Sequence, residues 1–509
     1  MSRQPLPGPS SEFALWSAGR FLRQQAAAFL LISIVLLVPC FWHARIQAGD
    51  LGSHVYNAWL AQLIQHHQVP GLTLVRQWDN VLFDVLLLKA GNVVGLVAAE
   101  KIVVSCAVLI FFWSCFAFLA ELSGRLPWPL IPCVAMLAYG YVFHMGFMNF
   151  YLSLGLALFA VAGSLRNGAG NWLLAIVVAT LSLLAHPIGF LFFCGLTVYI
   201  RLWRILPGVW NRVVPAMVIA AFILLGLYFS THQGLEASWR DVSIFRIFGH
   251  DQLNLFGTRY LIFSFVALGW MLLCGTAVGY DGVFRGKRPA AAFRLACELY
   301  FVSVVGTICL PENFRVSLYA GWVGLLVSRL TLVTAIFGLL TLATVRLPRW
   351  AVGGFVVGAA GFFIFLYQDT GKLDRMEASA RAIAQKLPPG TRIVAVASPP
   401  DDWRVPFIYH SIERACIGHC FSFANYEASS LQFRVRAAPG NYYVSSSVDQ
   451  ADDMASGDYV VRRGDLPLTS FYQCDEQDFT QICALALREG QKTEDPESEP
   501  VAIPAEPEE

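Results

Sequence analysis

Long apolar stretches alternate with short polar ones along most of this chain. Crossing a bilayer takes about 20 mostly apolar residues. Runs of that kind fall near 26–42, 102–120, 128–144, 149–164, 171–185, 187–203, 214–230, 259–279, 296–311, 321–343 and 350–367. The pattern predicts about eleven transmembrane helices, with the short pair flanking His186-Pro187 open to a different division. The first run lacks a small-residue cleavage site and reads as a retained anchor. Asn80–Ala98 is apolar but interrupted by Asp84, Lys89 and Asn92, which suits a helix at the interface better than a span. After Tyr367 the pattern changes. Residues 374–386 (DRMEASARAIAQK) predict an amphipathic helix ended by Leu-Pro-Pro-Gly, Thr391–Ala397 predicts a strand, and Tyr442–Ser446 and Tyr459–Arg462 are weaker strand candidates. The expected fold is therefore mainly α: a polytopic membrane protein with a small C-terminal extracytoplasmic α/β domain. Its parts would be a cytoplasmic segment 1–25, a membrane domain 26–368 containing a first outer loop 43–100, the outer domain 369–488, and a Glu- and Pro-rich tail 489–509 expected to be disordered. No internal repeat is evident.

Composition narrows the class. Apolar residues make up 56% and charged residues 14%, with a mean hydropathy of +0.55, whereas a soluble protein carries roughly 25% charged residues. That excludes a cytosolic enzyme, a coiled coil and a disordered scaffold. The net charge of +1 gives no basic field for nucleic acid. Basic residues set the orientation: Arg125, Arg166, Arg201, Arg204, Arg212, Arg285, Lys287 and Arg288 collect in loops that lie inside if the N-terminus is cytoplasmic. An odd number of spans then leaves the C-terminal region outside. The short loops point to a bacterial plasma (inner) membrane. No phosphate-binding Gly-x-x-x-x-Gly-Lys-Ser/Thr or Gly-x-Gly-x-x-Gly segment is present, so no nucleotide enzyme is indicated.

Four of the twelve cysteines, Cys416, Cys420, Cys474 and Cys483, lie in the outer domain. An even number in an oxidising compartment predicts two disulfides, and pairing 474 with 483 closes a short loop. The alternative is a zinc site, since His410, Cys416, His419 and Cys420 offer two imidazoles and two thiols.

Polar residues at the outer ends of spans carry the candidate chemistry. Asp50 follows the first span closely, and His54 lies four residues on, on the same face if 50–65 is helical. Asp50 reads either as the cap of an interfacial helix or as a general base toward a hydroxyl. An acidic residue just beyond a first span, interfacial helices and many further spans resemble the GT-C glycosyltransferases. Gly49-Asp50-Leu51-Gly52-Ser53-His54-Val55 is similar to the Asp-x-x-x-His form of the first-loop motif of poorly characterised bacterial members. Gly146-Phe-Met-Asn149-Phe-Tyr151, Ala185-His186-Pro187-Ile-Gly189 and Leu310-Pro311 followed by Arg329 fit the same order over about 26–370. Leu51 stands where better-known bacterial members carry glutamate.

The resemblance implies an inverting transferase that takes a sugar from a polyprenyl-phosphate donor at the membrane and delivers it to a glycan, lipid or protein hydroxyl in the cell envelope. Asp50 and His54 would be catalytic. Arg329, or else Arg315 or Arg259, would hold the leaving phosphate, and His144, Asn149 and His186 would line the cavity. A divalent metal is the one cofactor it brings in. Each residue has a plainer reading. Arg329 snorkels or pairs with Glu298, the cavity residues are satisfied polar groups at span ends, and Arg240, Asp241, Arg246, His250 and Asp251 are solvated loop residues. A transporter or flippase, and a non-catalytic assembly or sensor protein, are the competing functions. The segment from Ala415 to Arg436 matches no motif.

Overall fold

The computed structural model describes residues 19–206, 208–232, 236–239, 244–284, 291–315, 322–430, 433–475 and 478–493. The first 18 residues, Arg240, Asp241 and the acidic tail from 494 lie outside the described residues. The chain is mainly helical. Its principal helices are α1 (Gly19–Leu37), α2 (Leu51–Gln65), α3 (Leu82–Val94), α4 (Leu96–Ser123), α5 (Ile131–Ala138), α6 (Met148–Ser164), α7 (Ala169–Ala185), α8 (Pro187–Ile205), α9 (Trp210–Thr231), α10 (Thr258–Phe284), α11 (Ala291–Cys309), α12 (Leu326–Ala343), α13 (Arg349–Ala384), α14 (Tyr409–Ala415), α15 (Tyr426–Ser429) and α16 (Val448–Ser456). Among the described residues, α4 and α8 to α13 contain stretches long and apolar enough to cross a membrane, and four shorter apolar helical stretches accompany them.

Two compact units divide the chain. The first comprises residues 1–38, 105–143 and 148–366, and the second 39–104, 144–147 and 367–509. In the first unit α6 packs against α7 and α8, and α11 against α12 and α9. A side chain at Gly189 would run into Ser153, so α6 and α8 meet at backbone distance. The apolar window of α12 is 72% buried, whereas none of that of α9 is buried. An apolar helix that offers Leu224, Leu225 and Leu227 to its surroundings is compatible with lipid there, since contiguous apolar surface in water drives association.

The second unit joins the first loop to the C-terminal region, which the sequence assigned to separate domains. Strand β1 (Leu72–Leu74) pairs antiparallel with β7 (Val435–Ala437), Leu72 opposite Ala437. A four-stranded sheet runs in the order β6-β5-β8-β9, where β5 is Arg392–Val396, β6 Phe421–Ser422, β8 Thr469–Gln473 and β9 Ile482–Ala486. β5 is parallel to both neighbours, and β8 and β9 form an antiparallel hairpin. Val394, Phe423, Met454, Val461 and Leu468 form the core on one side of it. Short strands β2 (Ala237–Ser238), β3 (Asn313–Arg315) and β4 (Trp322–Val323) belong to the first unit.

Several expectations change. The amphipathic helix over 374–386 is the end of α13, because nothing between Tyr367 and Leu387 breaks a helix except Gly371, which costs only about 1 kcal/mol. Tyr442–Ser446 is not a strand: the Asn441 side-chain oxygen Oδ1 accepts the amides of Tyr443 and Val444, each at 2.9 Å, and turns the backbone aside. Tyr459–Arg462 makes a single bridge, Val460 to Lys492. The stretch 321–343 becomes helical only from Leu326, after a left-handed Leu325. The interfacial helix expected over 80–98 ends at Val94, and α4 starts at Leu96 after Gly95 at φ 78°. Cys416 and Cys420 are bonded to each other, as are Cys474 and Cys483. The zinc reading therefore loses both thiols, and His419 Nε2 lies 2.5 Å from the Leu387 carbonyl.

Candidate functional site

The second unit holds a dense polar cluster around the start of α2. The Gly49 amide donates to the His144 carbonyl at 2.8 Å and the Asp50 amide to Met145 at 3.0 Å. Gly146 makes this approach possible. At φ 81° it takes a conformation that side chains disfavour, and a Cβ there would sit 2.4 Å from the Asp50 nitrogen. Gly52 does the same on the other side, where a Cβ would meet the His410 carbonyl at 2.3 Å. Helix α14 thus lies directly against the first turn of α2.

Asp50 occupies the residue before α2, yet its side chain makes no cap hydrogen bond. The plain capping reading therefore fails. Its carboxylate lies 3.5 Å from His410 Nε2 and remains 17% exposed, while His410 is buried. His410 Nδ1 is 2.5 Å from Glu413, and the other oxygen of Glu413 accepts from Ser422 Oγ at 2.6 Å. His54 is not partnered as the i, i+4 spacing implied. Its Nδ1 lies 2.6 Å from Asp84 Oδ1, on α3. Burial alone would push the His54 imidazole down, but the charge and hydrogen bond of Asp84 lift it to about 9. Glu427, on α15, accepts from Ser53 Oγ at 2.9 Å; burial pushes its carboxyl up to about 7, against the opposing pull of His54. Burial and the carboxylates around them raise Tyr409 and Tyr426 well above the usual phenol range. A small cavity of about 20 Å³, room for one water-sized group, is lined by Asn57, Asp84, Glu427 and Arg434 together with apolar side chains such as Leu88 and Phe433.

Beneath this cluster lies a buried ionic network. Arg414 donates to Glu377 at 2.6 Å, to Glu100 at 3.0 Å and to the Ile46 carbonyl at 2.9 Å. Arg45 holds the other oxygen of Glu100 at 2.9 Å. His144 belongs to the same packing, its Nδ1 3.1 Å from the Gln47 carbonyl.

The remaining sequence candidates belong to the first unit. Arg329 sits on the first turn of α12 rather than mid-span and donates to the Gly324 carbonyl at 2.9 Å. Its guanidinium lies 5.7 Å from the Phe150 ring, which is itself 5.7 Å from the His186 ring. Glu298 instead accepts from Trp203 at 2.8 Å. His186 caps α8, accepting the Ile188 amide at 3.2 Å, and Asn149 is buried at the start of α6. Arg259 lies over Phe365 and donates to its carbonyl at 3.2 Å. Arg315 is exposed on β3, 3.8 Å from Glu236. The 231–258 loop is not simply solvated. Arg246, His250 and Asp251 are buried, Arg246 lies 3.7 Å from Glu312, and Asp251 accepts from Thr331 at 2.9 Å. An apolar cavity of about 420 Å³ in this unit is lined by Met136, Leu137, Phe263, Trp270, Leu339 and Phe355 among others.

Among the described residues no three His, Cys, Asp or Glu side chains converge as metal ligands. His54 and His410 each turn Nδ1 to a carboxylate. What the cluster's own side chains offer is proton transfer at a partly exposed carboxylate in imidazole contact, Asp50 against His410 or Asp84 against His54. Sequence reading missed Asp84, His410, Glu413 and Glu427 as members of the site. Asp84 was visible as a charge interrupting an apolar run, and the other three sit in or beside the segment that matched no motif. No known protein-family model, curated protein or solved structure matches the chain.

Proposed function

We propose that this protein is an inverting membrane glycosyltransferase that moves a sugar from a polyprenyl phosphate to an acceptor hydroxyl, with Asp50 as general base. One observation carries the reading. Asp50 stands where a helix cap would be and does not cap, and it stays partly exposed against buried His410. In the reaction, the acceptor hydroxyl attacks the anomeric carbon while Asp50 takes its proton. The bond from that carbon to the phosphate oxygen breaks, and the polyprenyl phosphate leaves with the electron pair. Arg329 is the cation that the GT-C resemblance implies for that phosphate.

The seven long helical stretches and the four shorter ones support eleven spans. With the N-terminus cytoplasmic, that number leaves the C-terminal region on the outer face of a bacterial inner membrane. Its two disulfides support an oxidising compartment. A transporter is the second reading, favoured by the buried charges Arg246, Asp251 and Glu312 within an apolar unit.

The test supplies membranes with radiolabelled polyprenyl-phosphate sugars and compares wild type with Asp50→Asn at equal expression. Transfer by wild type that falls at least 100-fold in the variant is the expected result, in the range of a lost general base. Equal transfer by the two proteins removes Asp50 from the chemistry. No transfer with any donor favours the transport reading.

A further inference from the structure

The acid proposed to react has a partner from the far end of the chain. His410 is 1% exposed, and its Nε2, buried and without a hydrogen-bond partner, lies 3.5 Å from Asp50 Oδ1. Its Nδ1 lies 2.5 Å from Glu413, which Ser422 Oγ holds in turn at 2.6 Å. Ser422 is itself fixed, its amide donating to Tyr56 Oη of α2 at 2.8 Å. With a carboxylate at each ring nitrogen, the form that suits both is the imidazolium, in which both nitrogens donate.

We propose that His410, oriented by Glu413, is the positioning residue of Asp50: the imidazolium faces the carboxylate, keeps it ionised and holds it in one orientation. This rests on the reading of Asp50 as the reacting group. The electrostatics agree. Burial would push the His410 imidazole down, but Glu413 first, and then Asp50 and Glu427, hold it above its usual value. Other titratable groups act on Asp50 from each neighbouring element. They are His54 on α2 with Asp84 of α3 behind it, Tyr409 on α14 with Glu413 behind His410, and Tyr426 and Glu427 on α15. Among them His410 is the cation for which the structure gives a direct ion-pair distance to Asp50. The five-residue turn closed by the Cys416–Cys420 bond follows α14, which carries Glu413 and the His410 of the Asp50–His410 dyad, and leads into β6.

The test needs neither donor nor acceptor. Carbodiimides react with a protonated carboxyl, so the pH at which labelling of the Asp50 peptide falls by half reports when that group ionises. The purified full chain is labelled across a pH series and the Asp50 peptide quantified by mass spectrometry. In His410→Gln the half-labelling pH is expected to rise by about one unit or more, the range set by an opposite charge at contact distance. Glu413→Gln, which keeps the imidazole and removes its orienting charge, should move it the same way by less, and covers the case in which the first variant does not fold. Unchanged half-labelling in the folded variants overturns the proposal. A shifted midpoint without sugar transfer leaves the dyad standing and removes the glycosyl reading. Transfer with an unshifted midpoint does the reverse.

Discussion

His54 and Asp84 are one pair through which the cluster responds to pH. The folded chain holds the His54 proton up to about 9, against an ordinary value of 6.5. Its contribution to stability is therefore complete below about 6.5 and is lost as the pH rises toward 9, because the folded state then gives up a proton it had bound more tightly than the unfolded chain. Wild type in detergent is expected to show a falling melting temperature across that window, and Asp84→Asn should flatten the fall. A wild-type curve already flat between these limits would count against the pair. The spacing of Asp50 and His54 was legible because both lie within one helical turn. Their partners were not. The Ser53–Glu427 bond spans 374 residues, and no local pattern encodes a contact of that range.

At the scale of elements, the site depends on α2 and α14 meeting at backbone distance over Gly52 and on a charge network that fastens α14 from behind. Arg414 is fully buried between Glu100 and Glu377. Burying such charges is costly unless each is paired, so Arg414→Ala, which takes a partner from two buried carboxylates and leaves Glu100 to Arg45 and Glu377 to Arg381 and Gln47, should cost up to about 3–5 kcal/mol. Denaturant unfolding of the purified chain measures this, and a loss below about 1 kcal/mol would mean that water reaches the network. The helix that the Asp50–His54 spacing supposed over 50–65 is α2, Leu51–Gln65. Periodicity misjudged 374–386, where the change from apolar to amphipathic composition looked like a boundary although no residue there stops a helix. It also misjudged Tyr442–Ser446, where one asparagine side chain outcompetes the ladder.

For the whole molecule, the proposed orientation predicts where the disulfides face. After mild reduction, a membrane-impermeant maleimide should modify Cys474 and Cys483 in right-side-out vesicles and not in inverted ones. The opposite pattern would reverse the topology. Hydropathy and composition determined that the protein is helical and carries many apolar spans, because the cost of burying unpaired backbone in lipid leaves few other structures. Alternation and breaker residues also located β5, and the proximity of Asp50 to the first span singled it out as a candidate. Only the tertiary structure decided that the first loop and the C-terminal region form one compact unit, joined by the β1–β7 pairing. It alone placed His410, Glu413 and Glu427 beside Asp50 and left that carboxylate uncapped. The reason is physical: hydrophobic pattern is a local property of the chain, whereas a cluster of charges is stable only where packing has removed water and supplied every partner at once.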